Sequence, residues 1–233
     1  YNSNNIVVAN YGTISEQFKA NGLIIREEQV VFASQSGKVK LKVAEGKRVS
    51  AGNLIATINN GKTEDELYNY EPGIISYKVD GLENSLEKND IKELNYKKIS
   101  KLRGSIEPVE SDERVNAGRP IFKVISNFKF YLAVLLPEGQ LQNYEVGEQV
   151  KLVFHKLPTQ TLKGKVYKTI LDSPQNIMVI EVDRFLEGLV DLRKTDVQVI
   201  KKQYHGIVVP SSAIIEKNNK TKVRIRGYVK DYM

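Results

Sequence analysis

The residues that could do chemistry in this chain are few. It has two histidines, His155 and His205, and no cysteine. The histidines lie fifty positions apart, and neither sits in an HxxxH or HExxH pattern, so the spacing offers no zinc pair. Without cysteine there are no disulfides, no thiolate nucleophile and no Cys-based metal site. No serine occurs in GxSxG, and neither a P-loop nor a GxGxxG follows a strand. Asp183 and Glu187 would share one face of a helix, which is also what a solvated helix surface looks like. Nothing pairs a nucleophile with either histidine, and His205, beside Tyr204, reads as a strand residue. The chain is therefore expected to be non-enzymatic, with no catalytic residue, no metal ligand and no cofactor.

What remains is charge. Lysine and arginine total 35 against 28 acidic residues, a net charge of +7 over 233 residues. Lys38, Lys40 and Lys42 alternate with Val39, Leu41 and Val43, giving a strand with one apolar and one solvated face. Lysines there keep a strand from pairing with strangers. Read as a nucleic-acid stripe they would need interleaved aromatics, and no RNP-like pattern is present, so no nucleic acid is expected. Near the other end Lys222, Arg224 and Arg226 alternate with Val223 and Ile225. These cations suit anionic headgroups if that end lies beside a bilayer, and they equally suit a solvated edge strand. Asn219-Lys220-Thr221 fits a glycosylation acceptor pattern, too short a match to carry weight.

The elements that must position these residues are mostly strands. A period of two marks segments 6–9, 14–18, 22–25, 30–33, 37–43, 74–79, 122–125, 130–136, 149–154, 162–167, 177–182, 197–200, 206–209 and 222–226. Helical signals are confined to short pieces: one capped by Asp90, one capped by Asn95, one opened by Pro137-Glu138 and one opened by Asp183. With 41% hydrophobic and 27% charged residues, the composition is that of an ordinary globular chain. No run of 18 or so apolar residues is present. The chain opens at Tyr1 on polar residues, without an initiator methionine or signal segment. A trimmed fragment with an anchor upstream of Tyr1 is expected.

Spacing repeats within the chain. Gly37 is followed by Gly46, Val49, Gly52, Ile55 and Ile58; Gly73 is followed by Gly81 and, after an insertion, by Val115, Gly118, Ile121 and Val124. Val39, Leu41 and Val43 align with Ile75, Tyr77 and Val79. Gly46 and Gly81 would reverse the chain with positive φ, and Gly52 and Gly118 would form a second tight turn. Val49, Val115, Ile55 and Ile121 would fill one small core, so two similar halves would build one sandwich.

The residues of the repeat carry a resemblance. Ser36-Gly37-Lys38-Val39 with Glu45-Gly46-Lys47-Arg48-Val49-Ser50-Ala51-Gly52-Asn53-Leu54-Ile55 resembles a biotinyl/lipoyl half-motif. The second half, at Pro72-Gly73-Ile74-Ile75 and Val115-Asn116-Ala117-Gly118-Arg119-Pro120-Ile121, gives the split form of HlyD-type membrane fusion proteins, the periplasmic adaptors of efflux and secretion systems. Segments 130–138, 145–152 and 206–215 resemble that family's β-barrel and the element that leaves it. The resemblance implies a mainly β chain: N-terminal strands (1–27), a split lipoyl-like or barrel-sandwich hybrid domain (28–126), a β-barrel (127–205) and the start of membrane-proximal strands (206–233). Within the lipoyl-like domain it implies halves at 30–58 and 71–126, a short linker at 59–70 and an insertion at 82–114 that decorates the lipoyl edge or docks a partner.

It further implies a non-enzymatic, membrane-anchored extracytoplasmic adaptor. Its partner would be an inner-membrane transporter or another envelope protein, and it would be able to pack side by side as a homo-oligomer. A division or envelope scaffold on the same fold is the alternative. The sequence departs from the family pattern in two places. Carriers of biotin or lipoate present the modified lysine at a hairpin tip, and a biotin carrier has it as Met-Lys-Met; Lys62 lies near such a tip but lacks the methionines. Many adaptors place a long helical hairpin between the halves; segment 59–70 leaves twelve residues, under about 20 Å as a helix.

Overall fold

A computed structural model of the chain describes residues 7–126, 128–136, 139–184, 187–217 and 219–223. Strands dominate. The first eight are β1 (Asn10–Ile25), β2 (Glu28–Phe32), β3 (Gly37–Leu41), β4 (Arg48–Val49), β5 (Leu54–Asn59), β6 (Glu64–Tyr68), β7 (Gly73–Ser76) and β8 (Lys78–Val79). Then come the helix α1 (Tyr96–Lys101) and the strands β9 (Glu107–Pro108), β10 (Arg114–Val115), β11 (Pro120–Ile125) and β12 (Phe130–Leu136). The last are β13 (Gln149–Phe154), β14 (Leu157–Ile170), β15 (Asn176–Val182), β16 (Lys194–Val208), β17 (Ile214–Lys217) and β18 (Lys220–Val223). Among the described residues no helix is long and apolar enough to cross a membrane.

The chain divides into two compact units, Phe18–Val199 and Tyr1–Gln17 with Ile200–Met233. The larger unit holds two sheets of four strands, ordered β10-β3-β5-β6 and β2-β11-β7-β4, and a closed barrel ordered β1-β12-β15-β14-β13-β16. The two sheets share one core, in which the repeat partners Val49 and Val115, Ile55 and Ile121, and Ile58 and Val124 all lie. The barrel has its own interior, where Phe130, Leu132, Val134 and Leu136 of β12 meet Met178 and Ile180 of β15 and Leu152 of β13. In the smaller unit, Thr13 Oγ1 and His205 Nδ1 are 2.9 Å apart, and Gln203 Nε2 donates to Ser15 Oγ at 3.4 Å. There β17 and β18 form a hairpin.

Several expectations change. Segments 14–18 and 22–25 are one strand, β1, and segments 197–200 and 206–209 are one strand, β16. Their interrupting polar residues alternate in exposure along the strands and do not break them. Val7–Ala9 is not a strand, and Ile6 lies outside the described residues. Segment 59–70 is a β-hairpin: β6 pairs antiparallel with β5, and Asn60 Oδ1 accepts from the N–H groups of Lys62 and Thr63 in the turn. Pro137, Glu138, Phe185 and Leu186 lie outside the described residues; after them come 3₁₀ turns at Leu141–Asn143 and Glu187–Leu189.

The largest correction concerns the insertion. Asn95 does cap α1, its side chain accepting from Lys98 N–H at 2.8 Å. Asp90, expected as a cap, instead sits inside a 3₁₀ turn (Lys88–Glu93), where its carboxylate accepts from the Glu87 N–H. The insertion reaches both domains: its last part joins the lipoyl-like sheets, with Val109 in their shared core and the Glu113 carbonyl accepting from the Val39 N–H of β3 at 2.9 Å, while its first part also extends over the barrel. Its Leu86, Ile91, Leu94 and Ile99 pack on the outer face of the barrel, against Leu23 and Ile25 of β1, Tyr131 and Ala133 of β12, and Ile177 and Val179 of β15. β12 is thus covered on both faces: even-numbered residues turn into the barrel and odd-numbered ones meet the insertion. Each of the four buried aliphatic side chains contributes about 1.5–3 kcal/mol by leaving water.

Candidate functional site

The six repeat glycines fall at three kinds of place. Gly46 and Gly81 have φ of +75° and +78°, and Gly52 and Gly118 have φ of +80° and +83°. Those values lie in the region that side chains with a Cβ avoid. Gly37 and Gly73 open β3 and β7 in ordinary extended backbone, and their constraint is space. A Cβ on Gly37 would sit 2.6 Å from the Asn59 carbonyl oxygen, and one on Gly73 would sit 2.5 Å from that of Ile125. Asn59 and Ile125 each follow the last residue of the repeat in their half, so the two close approaches are counterparts of one another.

The other candidates do not converge. His155 stands after β13, where its N–H donates to the Asp196 carbonyl at 3.0 Å, and His205 is in β16 of the other unit. Lys62 is exposed in the β5–β6 turn, and Lys222 is exposed in β18. Arg224 and Arg226 lie outside the described residues. Among the described residues no group of histidine and carboxylate side chains is arranged to hold a metal ion.

What the structure brings together is a set of charges that the sequence does not announce. Six ionisable side chains from distant positions meet in one cluster, Arg26, Glu28, Asp80, Glu83 and Lys123 buried and Arg193 partly so. Arg26 ends β1 and Glu28 opens β2. Asp80 and Glu83 begin the insertion, Lys123 is on β11, and Arg193 precedes β16. Three cations face three anions, so the cluster carries no formal charge.

Glu28 sits at its centre. It accepts from Arg26 Nε at 2.8 Å, lies 3.2 Å from Lys123 Nζ and bonds Arg193 Nη2. Lys123 Nζ also donates to Glu83 Oε1 at 2.9 Å, and that oxygen accepts from the Asp80 N–H at 2.8 Å. Arg193 Nε donates to Asp80 Oδ2 at 2.8 Å. Arg26 also donates to backbone, giving Nη1 to Leu189 O at 2.8 Å and Nη2 to Val190 O at 2.6 Å.

Burial alone would push the Glu28 carboxyl up, but Arg26, Arg193 and Lys123 outweigh it and hold it below the usual range. Burial likewise works to raise Asp80, and the hydrogen bond and charge of Arg193 overcome it, holding Asp80 at about 2. Desolvation lowers the Arg26 guanidinium, against the pull of Glu28. Arg193 goes the other way: burial opposes its charge, and Asp80 and Glu28 more than offset it.

Such a cluster has no free acid or base to offer a substrate. Its chemistry is positional. It ties the end of β1, the start of the insertion, the sheet strand β11 and the chain entering β16 to one another through charge-assisted hydrogen bonds. Beside it Ile74, Ile125 and Val190 form a small apolar patch, joining the sheet β2-β11-β7-β4 to the loop before β16. Lys78 Nζ meets Asp191 at 2.5 Å at a more exposed place on the same seam.

Two domain families account for this layout. Residues 28–126 match the RND related, barrel-sandwich hybrid domain, and residues 130–203 match the RND related, beta-barrel domain. The chain thus carries an RND-related barrel-sandwich hybrid domain followed by an RND-related β-barrel domain, the two domain types that its resemblance to HlyD-type proteins implies. No curated protein matches the chain. Among solved structures, MacA from Actinobacillus actinomycetemcomitans is 14% identical with a TM-score of 0.44, covering 98% of this chain and 94% of that one. ZneB from Cupriavidus metallidurans is 15% identical with a TM-score of 0.43, covering 94% and 81%. The periplasmic adaptor protein EmrA is 12% identical with a TM-score of 0.45, covering 82% and 99%. At these levels the neighbours add no weight to what the two domains establish.

Proposed function

We propose that this chain is a non-enzymatic adaptor, held at the extracytoplasmic face of a membrane and serving an efflux or secretion transporter. The observation that carries the reading is the succession of the two RND-related domains in one chain. The buried ion cluster supports it, because charge has been spent on fixing domains to one another. The neutral seam and the apolar insertion on the barrel give a stiff spacer, which suits a part that transmits position. Side-by-side packing into a homo-oligomer belongs to the same proposal.

The test is crosslinking in cells of the source organism, with the full-length protein, followed by identification of what is joined to it. A transporter subunit is the expected product. Recovery of division or envelope-assembly proteins alone, with no transporter, would overturn the reading. It would favour a scaffold on the same fold. One feature favours that second reading: between the halves the chain makes the short β5–β6 hairpin, with no reaching helical one.

A further inference from the structure

We propose that the open edge of β2 is a docking strand for an extended segment of a partner protein that carries cationic and apolar side chains. The inference stands on the edge itself and does not depend on the adaptor reading. β2 bounds its sheet and, among the described residues, has β11 as its strand partner; the insertion turn Glu83–Ser85 packs beside its start and the Arg26 N–H just before it donates to the Leu86 carbonyl at 3.2 Å, so the free stretch of the edge is Val30 to Phe32. Ser126 N–H donates to the Glu27 carbonyl at 3.0 Å, and Ala33 N–H donates to the Arg119 carbonyl at 2.8 Å. Bonded residues alternate along an antiparallel pair. The odd-numbered residues of β2 therefore turn toward β11, and Val30 and Phe32 turn their N–H and C=O groups to the other side.

A groove of about 720 Å³ runs past β2 toward the start of β7, with Phe32, Phe128, Glu27, Glu71, Glu87 and Lys88 in its lining. Phe32 is 49% exposed and Phe128 68%. Two large aromatics beside an unpaired edge supply the two parts of strand recognition, a backbone ladder and sockets for alternate side chains. Gln29, which also lines the groove, has its Oε1 buried without a hydrogen-bond partner, leaving an acceptor for an incoming donor. Exposed edges are usually blunted by lysine or proline; β2 reads Glu-Gln-Val-Val-Phe and has neither. The rim is acidic, with Glu27, Glu71 and Glu87 against Lys88 and a fourth lining carboxylate, Glu28, held in the ion cluster, in a chain whose net charge is +7. Complementarity thus selects an occupant with lysine or arginine alternating with aliphatic or aromatic residues.

The test is a titration of the whole chain with a labelled eight-residue peptide alternating lysine with valine and phenylalanine, read by fluorescence anisotropy and by backbone amide shifts. Saturable binding with shifts confined to β2 and its rim is expected. The same peptide with glutamate for lysine should bind at least tenfold more weakly. Val30→Pro removes only an outward-facing donor and should lower affinity tenfold or more. A peptide methylated on every backbone amide should fail to bind the unaltered chain, which keeps the test decisive if the proline variant does not fold. Absence of saturable binding, equal binding of the glutamate peptide, or undiminished binding of the methylated peptide overturns the proposal.

Discussion

Glu28 shares its carboxylate among Arg26, Lys123 and Arg193, and its side chain is fully buried. Removing one member of such a set leaves the others charged and unpaired in a dry place. Glu28→Ala should therefore lower the unfolding free energy by about 3–5 kcal/mol, measured by urea denaturation at neutral pH. Acid acts on the same residues. Asp80 is depressed to about 2 from an ordinary 3.8, and Glu28 is also depressed. A depressed carboxylate contributes stability that is present above its unfolded value and lost as pH falls through its folded one. Stability should hold down to about pH 4 and decline toward pH 2, and Asp80→Asn should flatten that decline while lowering stability at neutral pH. A flat profile in the unaltered protein would contradict the ion-cluster account. None of this was legible in the sequence, because the six residues stand between positions 26 and 193 with no common spacing. The turn glycines were legible, since positive φ leaves its mark in residue type. At Gly37 and Gly73 the same residue type serves a different purpose, close approach of two backbones.

The insertion acts as an element of the barrel. Its start is fixed by Asp80 and Glu83, and its end is held by Lys194, whose Nζ donates to the Leu102 carbonyl at 3.0 Å after α1. Leu86→Ala should cost about 2–5 kcal/mol, through lost burial and the cavity left behind. Asn95→Ala, which removes the cap of α1, should cost about 1 kcal/mol. Equilibrium denaturation measures both, and a Leu86→Ala change below 1 kcal/mol would mean that the insertion does not cover the barrel. The sequence contained a clue to that cover. Phe130-Tyr131-Leu132-Ala133-Val134-Leu135-Leu136 stands among the period-two segments, yet it is an uninterrupted apolar run, the mark of a strand buried on both faces. What it cannot name is the covering partner, which lies some thirty residues earlier in a segment full of lysine and glutamate. The β5–β6 hairpin was hidden for a related reason. Glu64-Asp65-Glu66 has poor strand propensity, and pairing with β5 overrides it.

At the scale of the whole molecule, Phe18–Val199 forms one compact unit although it contains two kinds of β-domain. Calorimetry should show that unit unfolding in a single transition, with equal calorimetric and van't Hoff enthalpies. Glu28→Ala should separate it into two, as the sheets and the barrel lose their common seam. Intact mass after co-expression with a biotin ligase should show Lys62 unmodified, since its turn lacks the flanking methionines of a biotin carrier; an added cofactor mass would contradict the non-carrier reading. The mainly β character was readable from the strand density, and the succession of the two domain types came from the resemblance. Their union was not readable, because it depends on contacts between distant segments. That union bears on inheritance. The segment shielding the barrel is encoded inside the neighbouring domain, so an exchange cut at the boundaries of residues 28–126 would take the shield with it and leave the barrel's outer apolar face bare. Recombination between relatives would be tolerated only where the two domains travel together, and their surfaces should drift as a single lineage.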